Sequence, residues 1–149
     1  VKDSTFIEPT TNYFFILILN FLNVDFSEIQ GKWMQSNDEG VAKSVLDLFI
    51  DNNKLYAQVY EIIDINNKKA VCEECVGENK NKPIEGMTIV DGLTFKDDYW
   101  QNGKILDPNN GKYYKCYIEI IDKNTISVRG YIGISLFGRS QIWRRVTKN

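Results

Sequence analysis

The fold of this chain is decided by its last third, residues 103–146, which read GKILDPNNGKYYKCYIEIIDKNTISVRGYIGISLFGRSQIWRRV. From residue 113 to residue 120, one set of alternate positions is mainly apolar and the other carries the charged side chains. This period of two is typical of a half-buried strand. Asp122-Lys123-Asn124 ends the run, and a second alternating run follows at 125–131. Two such runs joined by a short polar connection predict an antiparallel hairpin.

The same pattern continues towards the N-terminus. Alternating runs cover residues 44–50 and 55–59, and the polar residues 51–54 between them predict another hairpin turn. Residues 25–30 favour a short helical turn, and no long amphipathic helix is indicated after residue 30. The chain therefore predicts strand after strand, joined by polar turns.

A polar segment interrupts the strands in the middle of the chain. Residues 66–85 are rich in Asn, Lys and Glu and predict a long loop, which in a compact domain is usually functional or mobile. Strand-like runs then resume at 87–90, 93–96 and 99–101, with turns predicted at 91–92 and 97–98. Eight or nine short strands predict an all-β sandwich or barrel.

Composition limits the classes of function. The 149 residues suit one domain, and 18 basic and 20 acidic side chains give a net charge of −2. The mixed charge carries no electrostatic signature of nucleic-acid binding. The chain has no histidine, which removes imidazole metal sites, Ser-His and Cys-His nucleophiles and histidine pH switches.

The first 24 residues are interpreted separately from a single domain at 25–149. Residues 13–22, YFFILILNFL, form an apolar run too short for a membrane-spanning helix, which needs about 20 residues. Two interpretations remain open: the remnant of an export signal, or an apolar helix that covers the domain. The acidic residues Asp3 and Glu8 before the run are atypical of an export signal.

Two features resemble the calycin superfamily. Gly31-x-Trp33 follows the short helical turn and opens the first strand, and an arginine, Arg145 or Arg144, lies near the C-terminus. The resemblance implies that the tryptophan closes one end of a lipocalin-like barrel and that the arginine packs across the tryptophan. An indole face attracts a guanidinium by about 0.5–2 kcal/mol.

A closer resemblance is to a family of small bacterial exported proteins, the domain of unknown function 2147 family. It runs from Gly31 to Val146. The blocks that carry it are GKW at 31–33, AKSVLDLF at 42–49, NKLYAQV at 53–59, CEEC at 72–75, NKPIEGMTI at 81–89, GKILDPNNGKYYKC at 103–116, VRGYIGISLFGRSQIW at 128–143 and RV at 145–146.

This resemblance implies a specific architecture but no reaction. The implied fold is an all-β, eight-stranded, up-and-down antiparallel barrel of lipocalin type, preceded by the short helical segment. Gly31, Trp33 and Arg145 would close the barrel. Export to the periplasm or secretion is also implied, although the atypical N-terminus leaves a cytoplasmic location open.

The motif Cys72-Glu73-Glu74-Cys75 has four interpretations: a redox motif, a zinc site, a local disulfide and a pair of reduced bystander thiols. A redox motif should open a helix, and glutamates between the thiols oppose thiolate formation. A zinc site lacks partners, since only Cys116 remains and no histidine exists. We therefore expect a local disulfide in an oxidising compartment, with reduced bystander thiols as the next interpretation. Cys116 lies on an apolar strand face and is expected to be a buried small hydrophobe.

Strand parity predicts which side chains point into the barrel. Eight strands leave an interior that is filled by side chains or holds one small ligand. The inward set is expected to comprise Trp33, Leu46, Leu48, Leu55, Ala57, Val59, Tyr114, Cys116, Ile118, Ile126, Val128 and Trp143. The residues predicted to contact a ligand are Leu46, Leu48, Leu55, Ala57, Val59, Tyr114, Ile118, Val128 and Trp143.

Three functions remain for such a barrel. The first is non-enzymatic binding or carriage of a small hydrophobic ligand, such as a lipid or fatty acid, in the interior. The second is a packed barrel that presents the loop at 66–85 and the turn at 136–139 to another protein of the cell envelope. The third is an enzyme, for which no catalytic constellation is found. We expect no cofactor, no metal, no integral membrane span, and a monomer or weak dimer.

Overall fold

A computed structural model describes residues 26–147. Within these residues a 3₁₀ turn at Phe26–Ile29 precedes the first strand. The strands are β1 (Gly31–Ser36), β2 (Ala42–Asp51), β3 (Lys54–Ile62), β4 (Thr88–Lys96), β5 (Tyr99–Asp107), β6 (Lys112–Asp122), β7 (Thr125–Tyr131) and β8 (Gly138–Arg145). Both interpretations of residues 1–24 lie outside the described residues.

The eight strands form a closed, antiparallel, up-and-down barrel in which every strand pairs with the next along the chain. The predicted fold class is confirmed. Closure is made by β8 against β1, and this seam contains three residue pairs: Trp33 with Arg145, Met34 with Arg144, and Gln35 with Trp143. The other ladders are longer, except for the irregular β3–β4 pairing.

One predicted turn is wrong. Asp91-Gly92 was expected to separate two short strands, but both residues lie inside β4. The register against β3 shifts here, because Leu55 pairs with Leu93 whereas Ala57 pairs with Val90. Gly92 has a φ of +72°, so the glycine serves a bulge that bends a continuous strand.

Large side chains fill the centre of the barrel. Of the twelve side chains predicted to point inward, eleven are buried and Tyr114 is partly exposed. Trp33, Trp100 and Trp143 are the largest fully buried side chains. A water-sized void beside these residues would leave accessible surface on them, and they have almost none. The middle of the barrel is therefore a packed core.

One end, hereafter the closed end, is sealed by the N-terminal 3₁₀ turn. Phe26 makes edge contacts with Phe95 and Trp100, at centroid distances of 5.4 and 5.2 Å, and Ile29 is fully buried. The Trp33 indole donates a 2.8 Å hydrogen bond from Nε1 to the Ile29 carbonyl. Burial of these apolar groups holds the turn across the end of the barrel.

Arg145 braces the same end. Its guanidinium lies 4.2 Å from the Trp33 ring centroid and donates hydrogen bonds to the carbonyls of Glu28, Gln30 and Lys123. One cation thus joins the 3₁₀ turn, the start of β1 and the β6–β7 turn. Arg145, rather than Arg144, occupies the position across the tryptophan.

Residues 63–87, between β3 and β4, form an excursion that packs against the barrel. Cys72 and Cys75 form a disulfide, as expected, and both are buried. A single bridge pairs Val71 with Pro83, and Asn79 donates a 3.1 Å hydrogen bond to the Tyr113 hydroxyl on β6. Leu106 shares the outer face of its ladder with Tyr113, yet it is buried. The excursion accounts for this burial by covering the β5–β6 hairpin.

Candidate functional site

At the opposite end of the barrel, hereafter the mouth, several inward-facing side chains keep accessible surface, as the partly buried Ile50, Phe95 and Ile120 also do at the closed end. The mouth lies where β1, β3, β5 and β7 end, beside the loops at 37–41, 63–87, 108–111 and 132–137. The inward residues with partial exposure here are Gln35, Ile105, Tyr114, Gly130 and Gln141. Below them, Cys116, Val128 and Trp143 are buried and form the floor.

One side of the mouth is polar. Ser44 Oγ donates to Gln35 Oε1 at 2.8 Å, and Gln35 Nε2 donates to Gln141 Oε1 at 2.8 Å. The indole Nε1 of Trp143 also donates to Gln141 Oε1, at 3.3 Å. Both bonds to Gln141 are accepted by its side-chain oxygen. The Gln141 amide nitrogen has no partner among residues 26–147, so it remains an available donor.

The other side of the mouth is apolar. Ile105 and Tyr114 are paired across β5 and β6, and Gly130 on β7 is paired with Cys116. The Tyr114 hydroxyl accepts a 2.8 Å hydrogen bond from the Asn110 side chain at the rim. The absence of a side chain at Gly130 lets β7 lie close to Tyr114 and Ile105. A β-carbon placed at Gly130 would lie 3.3 Å from Ile105 Cγ2.

The predicted ligand-contact residues fall at two depths. Tyr114 lies at the mouth, whereas the other eight are buried in the packed core. The polar residues Gln35, Ser44 and Gln141 were not predicted as site residues. A signal was available, since they precede or follow the inward residues Trp33, Leu46 and Trp143 by two positions and therefore share their face.

The free thiol of Cys116 forms part of the floor. Burial raises the pKa of this thiol from its ordinary value of 9.0 to about 12. The thiolate is the nucleophilic form of cysteine, so this side chain is an apolar lining group at neutral pH. No catalytic role follows from it.

We expect Cys116 to make the folded state sensitive to alkali. The folded state holds the thiol proton up to about pH 12, whereas the unfolded state loses it near pH 9. Stability from this group is therefore complete below pH 9 and is lost as pH rises towards 12. Urea unfolding between these pH values should show a shallower decline for Cys116→Ala than for the wild type. Equal slopes would contradict the assignment, since the two proteins differ only at this side chain.

A groove of about 580 Å³ lies outside the barrel, between the excursion and the strands. Tyr56 and Tyr113 line it together with Lys82, Glu85 and Asp91. It is open and charged, and it is separate from the inward-facing residues. Among residues 26–147, no group of three or more Cys, Asp and Glu side chains is placed to hold a metal ion.

Comparison with known protein families shows the family to which the chain belongs. Residues 31–145 match the family described as an uncharacterized protein conserved in bacteria, domain of unknown function 2147. The chain belongs to this family. The match covers β1 through β8, so the family corresponds to the whole barrel, and the resemblance inferred from the sequence motifs is confirmed.

A solved structure shows the same fold. It is described as protein HP1028 from the human pathogen Helicobacter pylori, a member of the lipocalin family. The TM-score is 0.69 at 17% sequence identity, over 79% of this chain and 82% of that chain. No curated protein sequence matches the chain. Within the described part of this family member, no helix is long and apolar enough to cross a membrane.

Proposed function

We propose that this protein binds a small amphipathic molecule at the mouth of its barrel, without catalysing a reaction. Lipocalin-like barrels are suited to holding one small ligand. The observation that carries the proposal is the ring of partly exposed inward side chains above a packed core. Polar amides occupy one side of this ring and apolar groups the other.

The packed core limits how the ligand is held. Leu46, Leu48 and Ile118 have almost no accessible surface, so a ligand does not lie beside them without displacing them. It would instead rest on Val128 and Trp143, with its apolar part against Ile105 and Tyr114. Its hydrogen-bond acceptor would meet the free amide of Gln141. A fatty acid or a related lipid fits this division.

Gly130→Leu is expected to weaken binding at least about tenfold, because the new side chain would crowd Ile105 and Tyr114 and obstruct the mouth above the floor. Dodecanoic acid and dodecanol are suitable probes, with binding followed by calorimetry and native mass spectrometry. Ser127→Leu is the matched control, since it adds the same side chain to β7 on the outer face.

Gln141→Leu tests the polar side of the mouth. It removes the free amide donor, so it should reduce the preference for dodecanoic acid over dodecanol. Absence of binding to either probe by the wild type would overturn the proposal. Equal binding by Gly130→Leu and Ser127→Leu would place the ligand elsewhere.

The proposal includes export from the bacterial cytoplasm, with the protein acting as a monomer or weak dimer. A buried disulfide between Cys72 and Cys75 supports an oxidising compartment. Cell fractionation of a bacterial host, with the bridge assayed by thiol labelling after denaturation, tests this part. Recovery of reduced protein solely from the cytoplasm would contradict it.

A second candidate is interaction with another protein of the cell envelope. The turn at 136–139 favours it, because Leu136 and Phe137 are 75% and 68% exposed. The loop at 66–85 favours it less, since its cysteines are buried and its backbone packs against the β5–β6 turn. The turn at 136–139 overlaps the loop at 132–137, for which a different partner is proposed below. The vesicle-binding experiment given there distinguishes a protein partner from that one.

A further inference from the structure

The loop between β7 and β8, residues 132–137, exposes four large apolar side chains. Ile132 is 66%, Ile134 59%, Leu136 75% and Phe137 68% exposed. This apolar loop lies on the outer side of the barrel, because the outward-facing side chains of Lys115 and Arg129 hold it there. It therefore borders the mouth at its outer rim and is not among the inward-facing residues that line the mouth. Several adjacent exposed apolar side chains mark a docking surface more often than a single one does.

Most backbone carbonyls of the apolar loop accept hydrogen bonds. Lys115 Nζ donates to the Gly133 carbonyl, and Arg129 donates to the carbonyls of Ser135 and Leu136. The carbonyls of Ile134 and Phe137 accept bonds from amides within the loop. Five consecutive carbonyls thus have donors. For these carbonyls, the bonds lower the cost of losing water as a hydrogen-bond partner when irregular backbone approaches an apolar medium.

Charge is unevenly distributed around the barrel, and the apolar loop lies on the basic side. Residues 112–145 contain seven basic and two acidic side chains, although the whole chain has a net charge of −2. Arg145 is used by the Trp33 brace and Arg139 pairs with Asp38. Lys115 and Arg129 donate to the carbonyls of the apolar loop itself. The other basic side chains on β6–β8 and their turns are Lys112, Lys123 and Arg144.

Tyrosines complete this surface. Tyr99, Tyr117 and Tyr131 form a row on the outer face of β5–β7, with centroid distances of 5.5 and 6.0 Å, and Tyr131 directly precedes the apolar loop. Tyrosine is enriched at the boundary between lipid and water, because its ring is apolar and its hydroxyl is polar. Basic side chains attract anionic head groups at the same depth.

We propose that the apolar loop docks the protein on an anionic lipid bilayer. Ile132, Ile134, Leu136 and Phe137 enter the interface between head groups and acyl chains, while Lys115 and Arg129 stay at the level of the phosphates. Docking on lipid would use residues different from those that line the proposed ligand site. A basic surface with a short apolar insertion binds reversibly and depends on lipid charge.

The test is co-sedimentation with vesicles of phosphatidylcholine alone and of phosphatidylcholine mixed with phosphatidylglycerol. Wild-type protein should bind the mixed vesicles at least about tenfold more tightly, and salt should weaken this binding. Leu136→Ser with Phe137→Ser should lower the affinity about tenfold or more. Ile65→Ser with Val76→Ser is the matched control, because these side chains are equally exposed on the excursion.

Each result decides the proposal. Loss of vesicle binding in the loop variant, with retention in the excursion variant, supports docking through the apolar loop. Equal loss in both variants, or no vesicle binding by the wild type, overturns it, and the second outcome leaves the loop to a protein partner. Dodecanoic acid binding measured on the same samples reports on the mouth separately, so failure of one proposal is not mistaken for failure of the other.

Discussion

Replacing Trp33 by alanine should lower the free energy of unfolding by about 3–5 kcal/mol, the usual range for a fully buried tryptophan. The indole is fully buried, so its removal leaves a large cavity at the closed end. It also removes the hydrogen bond to the Ile29 carbonyl and the ring on which Arg145 packs. The 3₁₀ turn should then detach from the barrel.

Urea unfolding followed by circular dichroism measures this loss. Met34→Ala is the control, because Met34 is the next residue on β1, lies on the other face and is only half buried; its effect should stay below about 1 kcal/mol. A comparably small effect for Trp33→Ala would show that the closed end holds without the indole.

The second large effect is expected at Gly111 in the β5–β6 turn. Its φ is +68°, and an added β-carbon would overlap the Glu74 carbonyl and crowd the amide of Cys75. A left-handed conformation costs a non-glycine residue about 1–2 kcal/mol, and overpacking adds about 1–3 kcal/mol. Gly111→Ala should therefore destabilise the protein by about 2–5 kcal/mol.

Gly40→Ala separates the two causes. Gly40 has a φ of +78°, but no atom lies within 4 Å of the position its β-carbon would take. We expect Gly40→Ala to lower the free energy of unfolding only by the cost of the left-handed conformation, about 1–2 kcal/mol. The free energy of unfolding of each variant is measured by urea unfolding. The difference between the losses in Gly111→Ala and Gly40→Ala gives the cost of the steric overlap between the excursion and the β5–β6 turn. Equal losses would mean that the disulfide segment moves away at no cost.

The strands were predictable from the sequence because their alternation is local. Within β6 and within β7, each inward position lies two residues from the next, so one correct parity assignment fixes a whole strand. The same rule assigns Gln35, Ser44 and Gln141 to the interior. They were not predicted to face inward because an inward strand face is expected to be apolar. The hydrogen bonds that satisfy these polar side chains join different strands, and no local pattern in the sequence shows them.

Other features depend on contacts that no local pattern encodes. Asp91-Gly92 has the chemistry of both a turn and a bulge, and pairing with β3 decides between them. The 3₁₀ turn was predicted at residues 25–30, but the docking of Phe26 on Phe95 and Trp100 joins distant parts of the chain. The packing of the core also depends on how three tryptophans share one volume, which parity does not determine.

The short seam between β8 and β1 has a consequence for the order of folding. Strand pairs from β1–β2 to β7–β8 each join neighbours in sequence, so most of them form at a low cost in loop entropy. The seam instead joins residues 33–35 to residues 143–145 through three pairs. Closing so long a loop for so few contacts should make this the last ladder to assemble and the first to separate. Local opening of the native protein should therefore begin beside Gln35 and Gln141, which would give the proposed ligand a route of exchange through the wall.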